Sequence, residues 1–252
     1  MLKKLIVTTI ISIGSLYAGS INIAVAANVS YAMDALKKEF NLIHRDIKVQ
    51  VTLGSSGKLT AQIKNGAPYE LFMSANMKYP EALYGEGIAI TVPKIYAKGG
   101  LAYLSTKRQD FSKGMKILQN LNIKKIAVAN PKTAPYGKAT VEAIKNAGLY
   151  ESIVKKFVYA ESISQTVSYA VTAADIGFIA KSSLYSPKMK QYQKDINWAV
   201  VDPKLYTPIN QGIVILKNGE NNSEVKAFYD FMLSERAKKV LIDFGYLVPK
   251  DM

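Results

Sequence analysis

Residues 47–76, IKVQVTLGSSGKLTAQIKNGAPYELFMSAN, hold one complete unit of alternating structure. Ile47, Val49, Val51 and Leu53 recur at every second position, the spacing of a strand with one buried face. Gly54-Ser55-Ser56-Gly57 stops that run, and Leu59 and Ile63 follow at helical spacing as far as Gly66. Residues 71–74 are short and apolar, suited to a strand buried on both faces. Strand, polar turn, helix and strand make a βαβ unit, whose crossover sets the two strands parallel.

The pattern continues in both directions. Upstream, residues 21–26 (INIAVA) predict a buried strand. Ala27, Asn28, Val29 and Ser30 turn the chain into a helix with Ala32, Met33, Leu36 and Phe40 on one face. Downstream, strands are expected at 101–105, 126–129, 157–160, 176–180 and 212–216. Helical pieces are expected at 80–85, 115–120, 138–147 and 164–171, with one long amphipathic helix over 224–243. Strands alternating with helices at this spacing indicate an α/β fold with mostly parallel sheets.

Composition narrows the chemistry. The chain has 252 residues, 49% hydrophobic and 21% charged, the balance of a globule with a real core rather than of a disordered chain. It has no cysteine, which excludes disulfides, thiolate zinc sites, iron–sulfur clusters, a cysteine nucleophile and a lipidated N-terminal cysteine. Its one histidine, His44, lies in a polar stretch between helix and strand, so a His-ligated metal cluster is excluded. The net charge of +14 comes from scattered pairs such as Lys37-Lys38, Lys124-Lys125 and Lys238-Lys239. Scattered pairs describe a lysine-rich surface that attracts anions, not a nucleic-acid-binding face. Lys3-Lys4, an apolar run over 5–16 and Ala18-Gly19-Ser20 predict a secretory signal over 1–20, cut after Ala18 or Ser20. The mature protein is then expected to be free in a periplasm and not lipidated.

Three strand-to-helix junctions carry small or amide residues: Ala27-Asn28, Ser55-Ser56-Gly57 and Pro135-Tyr136-Gly137. Ligands in open α/β sheets bind at such carboxyl ends of strands. A helix start there offers unpaired N–H groups and partial positive charge, and so suits a small anion. Serine and asparagine, as at the first two junctions, also serve simply as helix caps. Two enzyme readings fare worse. Ser55-Ser56-Gly57-Lys58 fits the Ser-x-x-Lys acylation pattern, an exported serine hydrolase using Ser55 and Lys58, but the chain has no Ser-Asp-Asn or Lys-Thr-Gly partner. Gly57-Lys58 and Gly137-Lys138 lack the Ser/Thr and the upstream glycine of a phosphate loop.

Taken together, AVAANVSYAMDALKKEF (24–40), GSSGKLTAQIKNGAPYELFMSAN (54–76), IAVANPKTAPYGKATVEAIKNAGLY (126–150), ESISQT (161–166), IGFIA (176–180) and VKAFYDFMLSERAKKVLIDFGY (225–246) resemble the periplasmic molybdate/tungstate-binding proteins of ABC transporters. The resemblance implies a two-lobed type II venus-flytrap fold with the oxyanion between lobes. It assigns 21–97 and 208–252 to lobe I and 98–207 to lobe II. It implies no catalysis and no cofactor, a monomer, and delivery of the anion to a membrane permease and ATPase. By position it implies that Asn28, Ser56, Tyr136 and Ile163 donate to the oxyanion, with Ala27 and Ser55 beside them, and that the metal centre is reached only through its oxygens. Many members carry serine in place of Asn28, and some add a tyrosine hydroxyl near Ala180; here the asparagine with Pro-Tyr-Gly resembles the family's other ligand set. Sulfate, another fully deprotonated tetrahedron, stays open as an alternative. Ser56→Ala is expected to weaken oxyanion binding with little effect on melting.

Overall fold

The computed structural model describes residues 19–248; the expected export signal lies outside them except for Gly19 and Ser20. Ten strands run in chain order: β1 (Gly19–Ala26), β2 (Ile47–Gly54), β3 (Leu71–Met73), β4 (Lys94–Gly99), β5 (Leu101–Leu104), β6 (Ile126–Ala129), β7 (Phe157–Ala160), β8 (Ile176–Ala180), β9 (Trp198–Val200) and β10 (Ile209–Ile215). Eight α-helices join them: α1 (Ser30–Asn41), α2 (Ser56–Lys64), α3 (Lys78–Gly85), α4 (Pro135–Asn146), α5 (Tyr150–Ile153), α6 (Ile163–Thr172), α7 (Ser223–Met232) and α8 (Glu235–Asp243). They form two five-stranded sheets, ordered β2-β1-β3-β10-β4 and β7-β6-β8-β5-β9.

The two sheets repeat one plan. In the first, β1 pairs parallel with β2 and β3, and β10 pairs antiparallel with β3 and β4. In the second, β6 pairs parallel with β7 and β8, and β5 pairs antiparallel with β8 and β9. The sheets are thus more mixed than the βαβ reading implied. The antiparallel members lie next to the two places where the chain changes sheet, between Gly99 and Leu101 and between Val200 and Ile209. A strand arriving from the other sheet does not come through a βαβ crossover, so nothing forces it parallel. The Tyr206 hydroxyl accepts from the Leu101 N–H at 3.1 Å and ties the two passages together.

Alternation along β1 explains its double burial. Ile21, Ile23 and Val25 pack with Leu36 and Phe40 of α1 and with Phe228 and Leu241 of α7 and α8. Ala24 faces the other way, onto Leu59 and Ile63 of α2, Phe72 and Leu83. Each fully buried aliphatic of this kind contributes about 1.5–3 kcal/mol. In the second sheet Ile126, Val128, Phe178 and Ala143 share one core, and Leu104, Ile179 and Ala170 share the other.

Several local expectations need correction. The helix expected over 224–243 is two, because the Ser234 hydroxyl accepts from the Ala237 N–H and starts α8 anew. The piece expected over 115–120 is a 3₁₀ stretch, Phe111–Gln119, broken at Gly114, where φ is 55°. Neither β4 nor β9 is in the sequence reading, and β1 begins at Gly19 rather than Ile21. His44 stacks on Phe40 at 4.7 Å between ring centroids. Gly137 is required by packing: a Cβ there would overlap the Ala129 carbonyl oxygen, so only glycine lets α4 start against the end of β6.

Candidate functional site

Four strand-to-helix junctions meet at one small cavity. Two come from the first sheet: β1 leads into the 3₁₀ turn Ala27–Val29, and β2 leads into α2. Two come from the second: β6 leads through residues 130–134 into α4, and β7 leads into α6. Ala27, Asn28, Ser55, Ser56, Tyr136 and Ile163, all six candidate residues, line the cavity together with Ala26, Gly54, Ala75, Ala134 and Pro135. The space is small, and none of these lining residues carries a charge. The first residues of α2, α4 and α6 thus present helix starts to the same space.

The serines are not equivalent. Ser55 stands at the N-cap of α2, yet its side chain makes no capping bond. Its hydroxyl is buried without a partner. Capping therefore does not account for it. The N–H of Gly57, which such a cap could have taken, donates instead to the Thr133 carbonyl of the second sheet's unit at 2.9 Å. Ser56 is fully buried, and its oxygen accepts from the Ala75 N–H at 2.9 Å, leaving its proton for another acceptor. Ser56→Ala would thus strand a buried N–H, a cost of about 1–3 kcal/mol, so the expectation of unchanged melting does not hold.

Asn28 and Tyr136 contribute differently from what their side chains suggest. Both protons of the Asn28 amide are used, toward the Gln211 Oε1 at 2.8 Å and the Tyr246 hydroxyl at 3.1 Å. What Asn28 has left to donate is its backbone N–H. The Tyr136 ring is buried, and its hydroxyl has no partner. Burial, then the neighbouring Tyr246, Tyr96 and Tyr206, push that hydroxyl well above the usual phenol range, so it stays neutral. Ile163 opens α6, whose N-cap Ser162 accepts from the Gln165 N–H at 3.3 Å.

Around the cavity the two units are fastened. Beside the Gly57–Thr133 bond, Lys58 of α2 pairs with Glu161 at the start of the α6 junction. This pairing also disposes of the hydrolase geometry, because Ser55 has no hydrogen-bonded base. A larger cleft adjoins the cavity at Ala75 and Pro135, and Lys78, Lys138 and Glu142 are the charged residues of its lining. Among the described residues, no cluster of three or more His, Asp or Glu side chains could hold a metal ion, and no helix is long and apolar enough to cross a membrane. Gln211, Tyr246, Thr133 and Glu161 were not singled out by the sequence; they reach the site from 76 to 218 residues away from the residues they bond.

The chain matches the model of the family described as bacterial extracellular solute-binding protein over residues 21–247. It belongs to that family. Within it, the molybdate-binding protein ModA of Azotobacter vinelandii is 34% identical over 233 residues, 91% of this chain and 90% of that one. The solved A. vinelandii periplasmic molybdate-binding protein aligns with a TM-score of 0.84 and 30% identity, covering 91% of this chain and all of that one. The sulfate-binding protein SubI of Mycobacterium tuberculosis shares the fold at a TM-score of 0.77 and 14% identity, over 92% of this chain and 88% of that one. The architecture of this solute-binding protein is accordingly the type II periplasmic-binding-protein fold.

If the Ser55 hydroxyl serves a ligand and not the helix, its removal costs the empty protein nothing. Ser55→Ala is expected to leave the ligand-free melting temperature unchanged or raised. Ser234→Ala, which deletes a true cap, should cost about 1 kcal/mol in the same denaturation measurement.

Proposed function

We propose that this protein is an exported, non-enzymatic receptor that closes its two lobes on molybdate or tungstate and delivers the anion to an ABC permease and ATPase. One observation carries the ligand class: uncharged donors from both sheets surround a cavity whose lining holds no carboxylate. Molybdate and tungstate are dianions without a proton at neutral pH, so they need donors only. Backbone N–H groups of Asn28, Ser56, Tyr136 and Ile163, with the Ser55 and Ser56 hydroxyls, supply them; Ala27 adds its backbone alone. Roughly five such bonds to a charged ligand, at about 1.5–3 kcal/mol each, give about 8–15 kcal/mol before costs. Micromolar to nanomolar affinity needs about 8–12 kcal/mol. The similarity to the A. vinelandii protein supports the larger tetrahedra over sulfate, whose shorter bonds would leave some donors unreached.

In this reading lobe I comprises residues 21–97 and 208–252, and lobe II residues 98–207, with the hinge at the two chain passages. The Gly57–Thr133 bond and the Lys58–Glu161 pair then fasten the closed state. Lys78 and Lys138, on the walls of the adjoining cleft, draw the anion in by charge. The signal is cut between Ala18 and Gly19. Gly19 and Ser20 are register partners of Ile47 and Lys48 in the first sheet, and a cut after Ser20 would delete both positions. The Glu224 carboxylate lies against Gly19, where it meets the new terminal ammonium.

Calorimetric titration tests the ligand. Molybdate and tungstate should bind with saturation at micromolar concentration or below, sulfate at least about tenfold more weakly, and phosphate without measurable heat. No heat from either metal oxyanion would overturn the reading. Lys58→Ala should weaken molybdate binding by no more than about fivefold, through faster release, because exposed ion pairs contribute only about 0.2–1 kcal/mol. Stopped-flow release rates at low and high salt check this, and the difference from wild type should shrink as salt rises. The intact mass of protein exported by a Gram-negative host should correspond to a chain beginning at Gly19.

A further inference from the structure

Beneath the cavity lies a second set of polar groups, fully buried and drawn from both units. The Tyr246 hydroxyl donates to the Asn28 carbonyl at 2.8 Å and receives the Asn28 amide at 3.1 Å. Gln211 Oε1 receives the same amide at 2.8 Å and the Tyr96 hydroxyl at 2.9 Å. Ser182, from the 3₁₀ turn that follows β8, donates to the Asn28 carbonyl at 3.1 Å and lies 3.2 Å from the Tyr246 oxygen. Asn28 is therefore gripped at both its carbonyl and its side chain, and nothing in that grip uses its N–H.

We propose that Tyr246 is a positioning residue for the oxyanion site: it does not line the cavity, and it fixes Asn28 so that the backbone N–H of that residue points to the bound anion. The proposal rests on the oxyanion reading above and adds the part that Tyr246 plays in it. Three observations support it. Asn28 is completely buried, and its amide orientation is determined by acceptors on two different segments. The phenol is neutral at any working pH, since burial pushes it up to about 12 against the lowering effect of its bonds to Ser182, Asn28 and Gln211. It thus holds the site without setting a negative charge beside an anion. The grip also spans the hinge, because Asn28 and Tyr246 belong to the first sheet's unit and Ser182 to the second's. Orientation of the donor is then tied to the angle between lobes.

The test compares Tyr246→Phe with wild type in molybdate titration, in stopped-flow release and in melting of the ligand-free protein. Tyr246→Phe keeps the ring and removes the hydroxyl. It should raise the molybdate Kd about tenfold, mainly through faster release, and lower the ligand-free melting temperature, because one Asn28 amide proton is left buried without its acceptor. Ser182→Ala removes the second donor to the same carbonyl and should weaken binding several-fold in the same sense. Tyr229→Phe, a buried tyrosine of α7 remote from the cavity, should leave the Kd at the wild-type value. Wild-type affinity in both Tyr246→Phe and Ser182→Ala would overturn the proposal while leaving the oxyanion reading intact. So would an equal loss of binding in Ser234→Ala, which lowers the melting temperature at a helix cap that does not line the cavity. A wild-type protein that binds no molybdate would overturn both.

Discussion

A hydrogen-bond donor buried without an acceptor costs about 1–3 kcal/mol, and this chain gathers several around one cavity. The Ser55 hydroxyl is buried and unpartnered, and the starts of α2, α4 and α6 face the same space. A fold tolerates such a cluster where a ligand makes up the missing acceptors. In the proposed reading, four tetrahedral oxygens would do so from one small, symmetric body. This is why the cavity has neither a lysine nor a carboxylate in its lining. The strain of the empty cluster and the affinity for the anion are the same free energy viewed from two states.

Closure follows from the way the first turn of α2 is built. Ser55 and Ser56 supply hydroxyls, Gly57 gives its N–H to Thr133, and Lys58 reaches Glu161. Four consecutive residues thus combine the donors proposed for the ligand with fasteners between the two units. Glycine at 57 is what permits the approach: a Cβ there would lie 2.9 Å from the Thr133 oxygen and 2.7 Å from the Tyr79 hydroxyl. The second glycine of Gly-Ser-Ser-Gly is thus a requirement of lobe contact. A similar demand appears at the hinge, where a Cβ on Gly99 would overlap the Tyr136 hydroxyl. Tyr136 lies in the first turn of α4 in one unit and buries its ring beside the passage to the other.

Much of this was legible in the sequence because it is local. The alternation over 47–53, the turn at 54–57 and the apolar residues 71–73 each specify an element within a few residues, and β2, α2 and β3 appear where the pattern puts them. Five of the candidate residues sit at the three junctions that a rule about strand ends picks out, while Ile163, which shares their cavity, came only from the family resemblance. What escaped was non-local or masked. β4 has only three consecutive apolar residues, Ile95-Tyr96-Ala97, between Lys94 and Lys98-Gly99, so an edge strand shows neither alternation nor a long apolar run. Ser234 divides α7 from α8 by a single hydroxyl bond inside an unbroken amphipathic pattern. The partners of Asn28 lie 183 and 218 residues further on, and no spacing rule connects them. The two serines have the same sequence context, and only the position of Ala75 distinguishes them.

The distribution of charge completes the argument. A lysine inside the cavity would raise affinity for every anion alike, since a point charge is indifferent to the arrangement of oxygens around it. Neutral donors fixed in space discriminate by geometry, because each bond falls off steeply with distance and angle. The positive excess of the chain therefore belongs outside, on the walls of the adjoining cleft and the general surface, where it accelerates encounter without entering the choice of ligand. Release obeys the same division. When the lobes separate, water replaces the anion at each N–H and hydroxyl, so the donors lose little by letting go. A site fastened by ammonium groups would have to break ion pairs, and those are most persistent where water is excluded. A receptor that must surrender its cargo to a transporter is better served by many modest bonds that disappear together on opening than by a few strong ones that survive it.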